Sequence, residues 1–220
     1  MHQDMIIRIT KYDRILRKLK SIGLERVFAN NIGDAVGVTA SIVRKDFSLL
    51  NIIGQKRGGY DINKLITSLD HILGKDGSQK AAVVGCGRIG SALLRYNGFE
   101  SDGIKIVAGF DTNTRICEES DCPVPIYSME KIKEVIEREQ IKLAIIAVPE
   151  QTAQDVFTRL LDSGVRGFLN FTQAGLRAPK PFDTLGNRPG EHVVVHNVNI
   201  GLELEQIVYE LNMADKQLLK

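Results

Sequence analysis

Three glycines with the spacing G-x-G-x-x-G mark a segment that could hold a dinucleotide. They are Gly85, Gly87 and Gly90 in the stretch AAVVGCGRIG, directly after a short apolar run. In such a motif the first glycine allows a tight turn, the second lets the backbone approach a pyrophosphate, and the third lets a helix pack closely on a strand. The helix that begins here would offer unpaired N–H groups and a partial positive charge to phosphates. The spacing therefore predicts a phosphate-binding turn.

An acidic residue stands where a dinucleotide site needs one. A second apolar run, IKIVAGFD, ends in Asp111, 21 residues after Gly90. A carboxylate at this place binds the ribose hydroxyls and repels a 2′-phosphate. Because Thr112, Asn113 and Thr114 follow, with no Arg or Lys among them, the pattern favours NAD(H) over NADP(H). A Rossmann-like domain that is empty, or that holds coenzyme A or another nucleotide, is the alternative interpretation.

The residues that hydride transfer would need are not evident around this motif. The reaction requires a general acid or base and a substrate pocket, which a second catalytic domain usually supplies. Only 130 residues follow Gly90, and the predicted sheet and helices take them up. His192 and His196 flank a Val-rich strand, which favours structural histidines, and Cys117 and Cys122 lack the spacing of a metal site. We predict a binding site with no catalytic residue and no metal; a small NAD-dependent oxidoreductase is the alternative.

The elements around the glycines predict a parallel sheet. Apolar runs with the composition of buried strands alternate with helical patterns in the order AAVVG, IKIVAGFD, LAIIAVP, GFLNF and HVVVHNV. Such alternation is typical of βαβ units, whose sheet is covered on both faces. We predict an α/β fold with a Rossmann-type domain over residues 80–200. Residues 201–220 continue as a helix with apolar side chains at helical spacing.

A second chemical pattern lies in a helix that Thr39 is placed to cap. At about 100° per residue, Val43, Phe47 and Leu50 gather on one side. The opposite side carries short donors and cations, namely Ser41, Arg44, Lys45 and Ser48. A short helix and a tight turn come before it, as in a helix-turn-helix whose polar face enters the major groove. An amphipathic helix with a solvated polar face is the alternative.

A basic, glycine-rich loop follows this helix in the order Gly54-Gln55-Lys56-Arg57-Gly58-Gly59. Such a loop can form the wing of a winged helix and reach the DNA backbone or minor groove. Residues 1–76 contain 13 Lys and Arg against 8 Asp and Glu, although the whole chain carries only +2. We predict a winged-helix domain over residues 1–76 that contacts double-stranded DNA through Thr39, Ser41, Arg44, Lys45, Ser48, Lys56, Arg57 and Gly59.

The composition indicates a compartment as well. No apolar run approaches the roughly 18 residues that span a bilayer. The first residues, MHQDMIIRITKYDR, include no apolar core of a signal peptide. The three cysteines make an odd number and predict no disulfide framework. We expect a cytoplasmic protein without membrane contact.

These segments, in this order, resemble the Rex family of redox-sensing transcriptional repressors. The likeness covers GVTASIVRKDF, GQKRGGYDINKL, AAVVGCGRIGSALLRYNGF, IKIVAGFD, AIIAVP and NVNIGLELE. It implies a winged-helix domain joined to a Rossmann domain, a homodimer, and a domain-swapped C-terminal helix that crosses into the partner subunit. It also implies that NADH closes the dimer and releases an inverted-repeat operator. A last helix that covers the sheet of its own subunit is the alternative.

The resemblance also implies roles for single residues. Tyr96 matches a family tyrosine near the nicotinamide, so the predicted NAD(H) site comprises Gly85, Cys86, Gly87, Arg88, Ile89, Gly90, Tyr96, Asp111, Val148 and Pro149. The family's N-V-D-L is Asn197-Val198-Asn199-Ile200 here, and its N-F-A-P is Asn170-Phe171-Thr172-Gln173. The aspartate that Asn199 replaces pairs with that tyrosine in one state of the family's switch. An asparagine hydrogen-bonds without charge, so we expect the charge-dependent part of the switch to be lost.

Overall fold

A computed structural model of the chain describes residues 3–55, 58–75, 77–117, 122–179 and 192–218. The chain divides into two compact units, Met1–Gly77 and Ser78–Lys220. Within the described ranges, no helix combines the length and the apolar character that crossing a membrane requires.

Over its described residues, the first unit forms four helices and a short two-stranded sheet. Gly37, in the left-handed region with φ of 77°, ends α2, and Thr39 caps the N-terminus of α3 as predicted. The two strands pair antiparallel and bring Val27 opposite Tyr60. The elements are α1 Gln3–Ser21, β1 Arg26–Val27, α2 Ala29–Val36, α3 Ala40–Leu49, β2 Tyr60–Asp61 and α4 Ile62–Leu73.

Aromatic rings tie the elements of the first unit together. Phe47 on α3 lies edge-on to Tyr12 on α1, with ring centroids 5.6 Å apart. On its other side it meets Tyr60 on β2 at 5.0 Å. Tyr12 and Phe47 are fully buried. These contacts fix the orientation of α3 relative to α1 and to the small sheet.

The second unit is built on a six-stranded sheet in which every pair of neighbours is parallel, in the order β5-β4-β3-β6-β7-β8. The strand order reverses between β3 and β6, which makes the carboxyl ends of these two strands the topological switch point. The strands are β3 Gln79–Val84, β4 Ile104–Asp111, β5 Ile126–Ser128, β6 Leu143–Ile146, β7 Gly167–Asn170 and β8 Val194–Asn197.

Helices pack on both faces of this sheet. One face carries α7 Ile132–Glu139 and α8 Glu150–Asp162, which bury a large cluster that includes Phe110, Val156 and Phe157. The other face carries the shorter α5 Arg88–Leu94 and α6 Gly98–Ser101, which pack on Val83 and Ile145 through Leu94 and Phe99. The described architecture is the Rossmann-type α/β fold that the alternating runs predicted.

The last helix, α9 Ile200–Leu218, shows its apolar side chains to solvent. More than half of the surface of each of these residues is exposed: Ile200, Leu202, Leu204, Ile207, Val208 and Leu211. An amphipathic helix that packed on its own sheet would bury this stripe. The structure therefore does not support the alternative of a helix that covers the sheet of its own subunit.

Candidate functional site

The three glycines of the G-x-G-x-x-G motif have different surroundings in the turn after β3. Gly85 has φ of 88°, and a Cβ there would lie 2.5 Å from the carbonyl oxygen of Ala147. A Cβ on Gly90 would collide with the carbonyl oxygen of Gly85, so α5 packs directly on the turn. A Cβ on Gly87, by contrast, would meet no heavy atom within 4 Å. Gly85 and Gly90 thus avoid clashes with backbone carbonyl oxygens, whereas Gly87 leaves the space beside it open.

Asp111, at the end of β4, is anchored to this turn. Its Oδ2 accepts a hydrogen bond from the backbone N–H of Cys86 at 2.7 Å, and its Oδ1 accepts one from the N–H of Asn113 at 2.8 Å. Both contacts are with backbone donors, so the carboxylate is held in place by the chain itself. A fixed carboxylate beside a glycine turn is the arrangement that binds ribose hydroxyls.

A cavity of about 680 Å³ opens above these residues, within the usual range of small-molecule sites of about 300–1,000 Å³. Five of the predicted nucleotide residues line it: Gly85, Gly87, Asp111, Val148 and Pro149. Sequence reasoning missed the far wall, which comes from beyond β5 and from α8 and includes Met129, Thr152, Val156 and Arg159. The Arg159 Nη2 donates to the carbonyl oxygen of Met129 at 2.6 Å, which holds the two parts of that wall together.

The other predicted nucleotide residues lie off the cavity wall. Arg88 and Ile89 are exposed in the first turn of α5, while Gly90 is buried beneath it. Tyr96 is 59% exposed, and its ring meets that of Phe99 edge-on at 4.9 Å. None of these four residues lines the cavity.

Cys86 is a packing residue of the turn. It is a free, fully buried cysteine, and its Sγ lies 3.5 Å from the carbonyl oxygen of Phe110. Burial, with the charge of Asp111 as a second cause, raises the pKa of the Cys86 thiol to about 12. A thiol that stays protonated at neutral pH is a poor nucleophile. Cys122, in contrast, is disulfide-bonded, which the odd cysteine count did not predict.

The polar side of α3 is open to solvent in the first unit. Val43 and Phe47 are fully buried, whereas Ser41, Arg44, Lys45 and Ser48 are exposed. Thr39 accepts a hydrogen bond from the N–H of Ile42 at 3.4 Å and so begins the helix ahead of these four residues. The helix thus presents two hydroxyls and two cations on one accessible face.

The loop after α3 closes on a glycine. Gly59 has φ of 65°, and a Cβ there would lie 2.5 Å from the carbonyl oxygen of Val27. Its own carbonyl oxygen accepts a hydrogen bond from the N–H of Gln55 at 2.9 Å. Lys56 and Arg57, which we assigned to the wing, lie outside the described residues.

Sequence reasoning missed an ion pair behind the polar face of α3, between the buried Asp46 and the half-buried Arg8. Asp46 accepts hydrogen bonds from Arg8 Nε at 2.7 Å, from Arg8 Nη2 at 2.8 Å and from the Tyr12 hydroxyl at 2.9 Å. Burial alone would raise the pKa of the Asp46 carboxyl, but these hydrogen bonds outweigh it and lower that pKa below its ordinary value. Burial and the bond to Asp46 raise the pKa of Tyr12 to about 12. The sequence offered one indication of this pair, because Asp46 directly precedes Phe47 and lies at the edge of the apolar side of α3.

Comparisons with known proteins decide the family. Residues 3–48 match a family described as a putative DNA-binding protein N-terminus, and residues 76–174 match a CoA binding domain. The chain is 33% identical over 210 residues to the redox-sensing transcriptional repressor Rex of Bacillus licheniformis, covering 96% of this chain and 93% of that protein. This chain belongs to the Rex family. Rex 1 of Enterococcus faecalis is 34% identical over 205 residues, covering 93% of this chain and 90% of that repressor.

Solved structures of a Rex-family repressor, RSP, share the fold over the whole length. RSP in complex with β-NAD⁺ and operator DNA has a TM-score of 0.86 and 28% identity, covering 99% of this chain and 96% of RSP. RSP in complex with β-NADH has a TM-score of 0.79 and 27% identity, covering 100% of this chain and 99% of RSP. These matches confirm the predicted family and the predicted fold class. The Rex relatives are named as repressors and not as enzymes, which favours a site without catalysis.

Proposed function

We propose that this Rex-family chain is a transcriptional repressor whose affinity for operator DNA is set by NAD(H). The observation that carries the proposal is a combination within one chain. One unit presents an exposed cationic helix face, and the other holds a nucleotide-sized cavity at its switch point, with Asp111 anchored to the glycine turn. The relative RSP, which has been solved with NAD⁺ and operator DNA and with NADH, supports this reading.

The nucleotide unit, which we assign to residues 80–200, would hold NAD(H) by its backbone and one carboxylate. Gly87 leaves room for the pyrophosphate, and Asp111 accepts hydrogen bonds from ribose hydroxyls while repelling a 2′-phosphate. Cys86 keeps the turn closed on Asp111, and Gly90 keeps α5 against it. We place Arg88, Ile89 and Tyr96 at the border of the site and Val148 and Pro149 in its wall. NAD(H) supplies two oxidation states that differ in charge at the nicotinamide ring.

The DNA-binding unit, which we assign to residues 1–76, would read the major groove with α3. Arg44 suits a guanine edge, while Ser41, Lys45, Ser48 and Thr39 suit phosphates and base edges. The wing residues Lys56, Arg57 and Gly59 would follow the adjacent backbone or minor groove. Operator DNA and NAD(H) are both available in the cytoplasm, and we propose that location.

The chain would act as a homodimer held by its last helix, α9, and we assign residues 201–220 to this dimerisation segment. Each large apolar side chain that a partner buries contributes about 1.5–3 kcal/mol, so the exposed stripe of α9 is a strong dimerisation surface. Two winged helices related by a two-fold axis would bind an inverted-repeat operator with half-sites spaced by whole turns of DNA. We propose that α9 crosses to the partner subunit and transmits the nucleotide state.

Regulation requires that NADH and NAD⁺ prefer different arrangements of the dimer. A nucleotide that binds both arrangements with equal affinity does not shift the equilibrium between them. Asn199 caps the N-terminus of α9, because its Oδ1 accepts a hydrogen bond from the N–H of Leu202 at 3.1 Å. The family's aspartate could form the same cap and also a charged contact with the tyrosine that Tyr96 matches. With Asn199 the cap persists and the charge is absent, so we expect a weaker response to NADH than in relatives with the aspartate.

The test is operator binding with each nucleotide added separately. A duplex that the protein enriches from a random library serves as the operator, and affinity is measured by fluorescence anisotropy at one fixed salt concentration. We expect NADH to weaken binding and NAD⁺ to leave it nearly unchanged. Arg44→Glu should lose the operator and keep NADH binding. Equal affinity with NADH, NAD⁺ and neither would contradict the regulatory proposal.

Coenzyme A is the second candidate ligand, because residues 76–174 match a CoA binding domain. Calorimetric titration with NADH, NADPH and coenzyme A separates the candidates. We expect tight binding of NADH only. Coenzyme A binding at an affinity equal to or greater than that of NADH would assign the cavity to coenzyme A and leave the DNA-binding unit to be tested by itself.

A further inference from the structure

Arg26 on β1 connects the small sheet to loop 54–59. The Arg26 Nε donates a hydrogen bond to the carbonyl oxygen of Gly58 at 2.7 Å. The Nη2 of the same guanidinium donates to the Oε1 of Gln55. These two acceptors stand on either side of the two basic wing residues in the sequence. One side chain on a strand thus holds both sides of the loop.

The loop is built around this guanidinium. Its backbone closes through the N–H of Gly58, which donates to the carbonyl oxygen of Gln55 at 3.2 Å. A Cβ on Gly58 would lie 2.8 Å from the Arg26 Nη2 and 2.7 Å from the Gln55 Oε1. Glycine at position 58 leaves this space to the Arg26–Gln55 pair, which would have to shift to admit a side chain.

Arg26 is also connected to α3 through the small sheet. Arg26 pairs with Asp61 and Val27 pairs with Tyr60 in the two-stranded sheet. The ring of Tyr60 meets that of Phe47, which is buried on the inner side of α3. The position of the loop is thereby tied to the position of the helix whose outer side we assign to the major groove.

We propose that Arg26 is a positioning residue that holds Gln55 and Gly58, the residues on either side of the two basic wing residues, in the arrangement that DNA binding requires before DNA is present. The proposal rests on the proposed DNA-binding function. Residues that are already in place avoid the entropy cost of being ordered on binding. A lysine would keep the charge of Arg26, but its single ammonium nitrogen lacks the planar fork with which the guanidinium reaches two acceptors from two different nitrogens.

The first test needs no DNA. Hydrogen exchange of the free full-length protein is compared between Arg26→Lys and the matched control Arg14→Lys, which makes the same substitution on the exposed side of α1. We expect the amides of Gln55 and Gly58 to exchange about tenfold faster in Arg26→Lys only, because about 1.4 kcal/mol of local stability is lost. Unchanged exchange at these amides would overturn the proposal, whatever the protein does with DNA.

The second test uses the duplex enriched by the wild-type protein. We expect Arg26→Lys to bind it about tenfold more weakly, with hydroxyl-radical protection lost in the minor groove beside each half-site and retained over the half-site itself. The NADH affinity should not change. Gln55→Ala should weaken binding less, and adding it to Arg26→Lys should have little further effect. Equal loss of protection everywhere would show a general structural role and overturn the proposal.

A wild-type protein that enriches no duplex would refute the DNA-binding function, and the exchange result would still decide the role of Arg26 in the loop.

Discussion

Single side chains in the nucleotide site have separable roles, and Asp111 is the clearest case. Its carboxylate accepts two backbone N–H groups, so Asp111→Asn keeps one acceptor oxygen and a similar shape while removing the charge. We expect NADH to bind about tenfold more weakly, the equivalent of one charge-assisted hydrogen bond, and the discrimination against NADPH to shrink. Calorimetric titration with both nucleotides measures the change.

Asp155→Asn is the matched control for this prediction. Asp155 lines the same cavity, but its side chain is 74% exposed and its carboxylate approaches Arg159 only at 4.0 Å. We expect little change in either nucleotide affinity. If Asp111→Asn behaved like Asp155→Asn, the assignment of Asp111 to the ribose would be wrong.

Gly87 and Gly90 allow a sharper comparison, because the same added methyl meets different surroundings. In Gly87→Ala the methyl enters open space beside the cavity, so we expect an unchanged melting temperature and a large loss of NADH affinity. In Gly90→Ala the methyl meets the Gly85 carbonyl oxygen, and we expect a loss of about 1–3 kcal/mol in unfolding free energy. Calorimetry measures both properties. Similar destabilisation by the two variants would contradict this division of roles.

Two of the departures from the family pattern have local explanations. Thr172 is buried, and its Oγ1 donates to the Oδ1 of Asn170 at 2.8 Å. The Asn170 Nδ2 donates in turn to the carbonyl oxygen of Ala174 and to the Oδ1 of Asn197. The threonine therefore satisfies its hydroxyl within the loop after β7. Asn199 likewise keeps the cap of α9.

Among the elements, the orientation of α3 depends on the ion pair between Arg8 and Asp46. The lowered pKa of Asp46 means that its ionised form is favoured in the folded state, so it contributes stability above its ordinary pKa of 3.8. That contribution is lost as the pH falls through the lower pKa of the folded state. Tyr12, with its pKa raised from 10.0 to about 12, contributes stability that is present below pH 10 and lost as the pH rises toward 12.

We expect Asp46→Asn to lower the unfolding free energy of the first unit by about 3 kcal/mol at pH 7, because Arg8 loses its charged partner. The acid-induced loss of stability should also flatten relative to the wild type. Calorimetric melting over a pH series measures both effects. Asp34→Asn, on the exposed side of α2, is the control. A melting temperature that stays the same in Asp46→Asn would show that α3 does not depend on this pair.

Element boundaries differ from the sequence predictions where tertiary contacts decide them. In the stretch ITKYDRILRKLKSI the apolar residues have helical spacing, which predicts a first helix from about Thr10. Yet α1 begins at Gln3, and Met5 continues its buried stripe one turn earlier. The edge strand β5 was not predicted at all. It has three half-buried residues and lies between Pro125 and a turn of 3₁₀-helix, so neither length nor alternation marks it. Its pairing with Gly109, Phe110 and Asp111 on β4 makes it a strand.

For the molecule as a whole, the exposed stripe of α9 is the surface that we assign to the proposed dimer interface. We expect Leu204→Glu combined with Leu211→Glu to give a monomer in sedimentation equilibrium, because charges replace two apolar contacts. The monomer should keep NADH binding, since the described cavity lies within one unit, and should lose the operator. Glu205→Gln, on the same helix, is the control. A double variant that sediments like the wild type would exclude α9 from the dimer interface.

The sequence by itself determined the glycine turn after β3, the two sides of α3, the alternation of strands and helices in the second unit, and the family. These features depend on residues within a few positions of each other, where steric limits on glycine and the helical and strand periodicities act directly. Only the tertiary structure decided that Asp111 accepts the N–H of Cys86, that Asp46 is buried against Arg8, and that Arg26 donates to the carbonyl oxygen of Gly58. Each of these contacts joins residues 25 or more positions apart. A local pattern cannot specify such partners, because they meet only when whole elements pack.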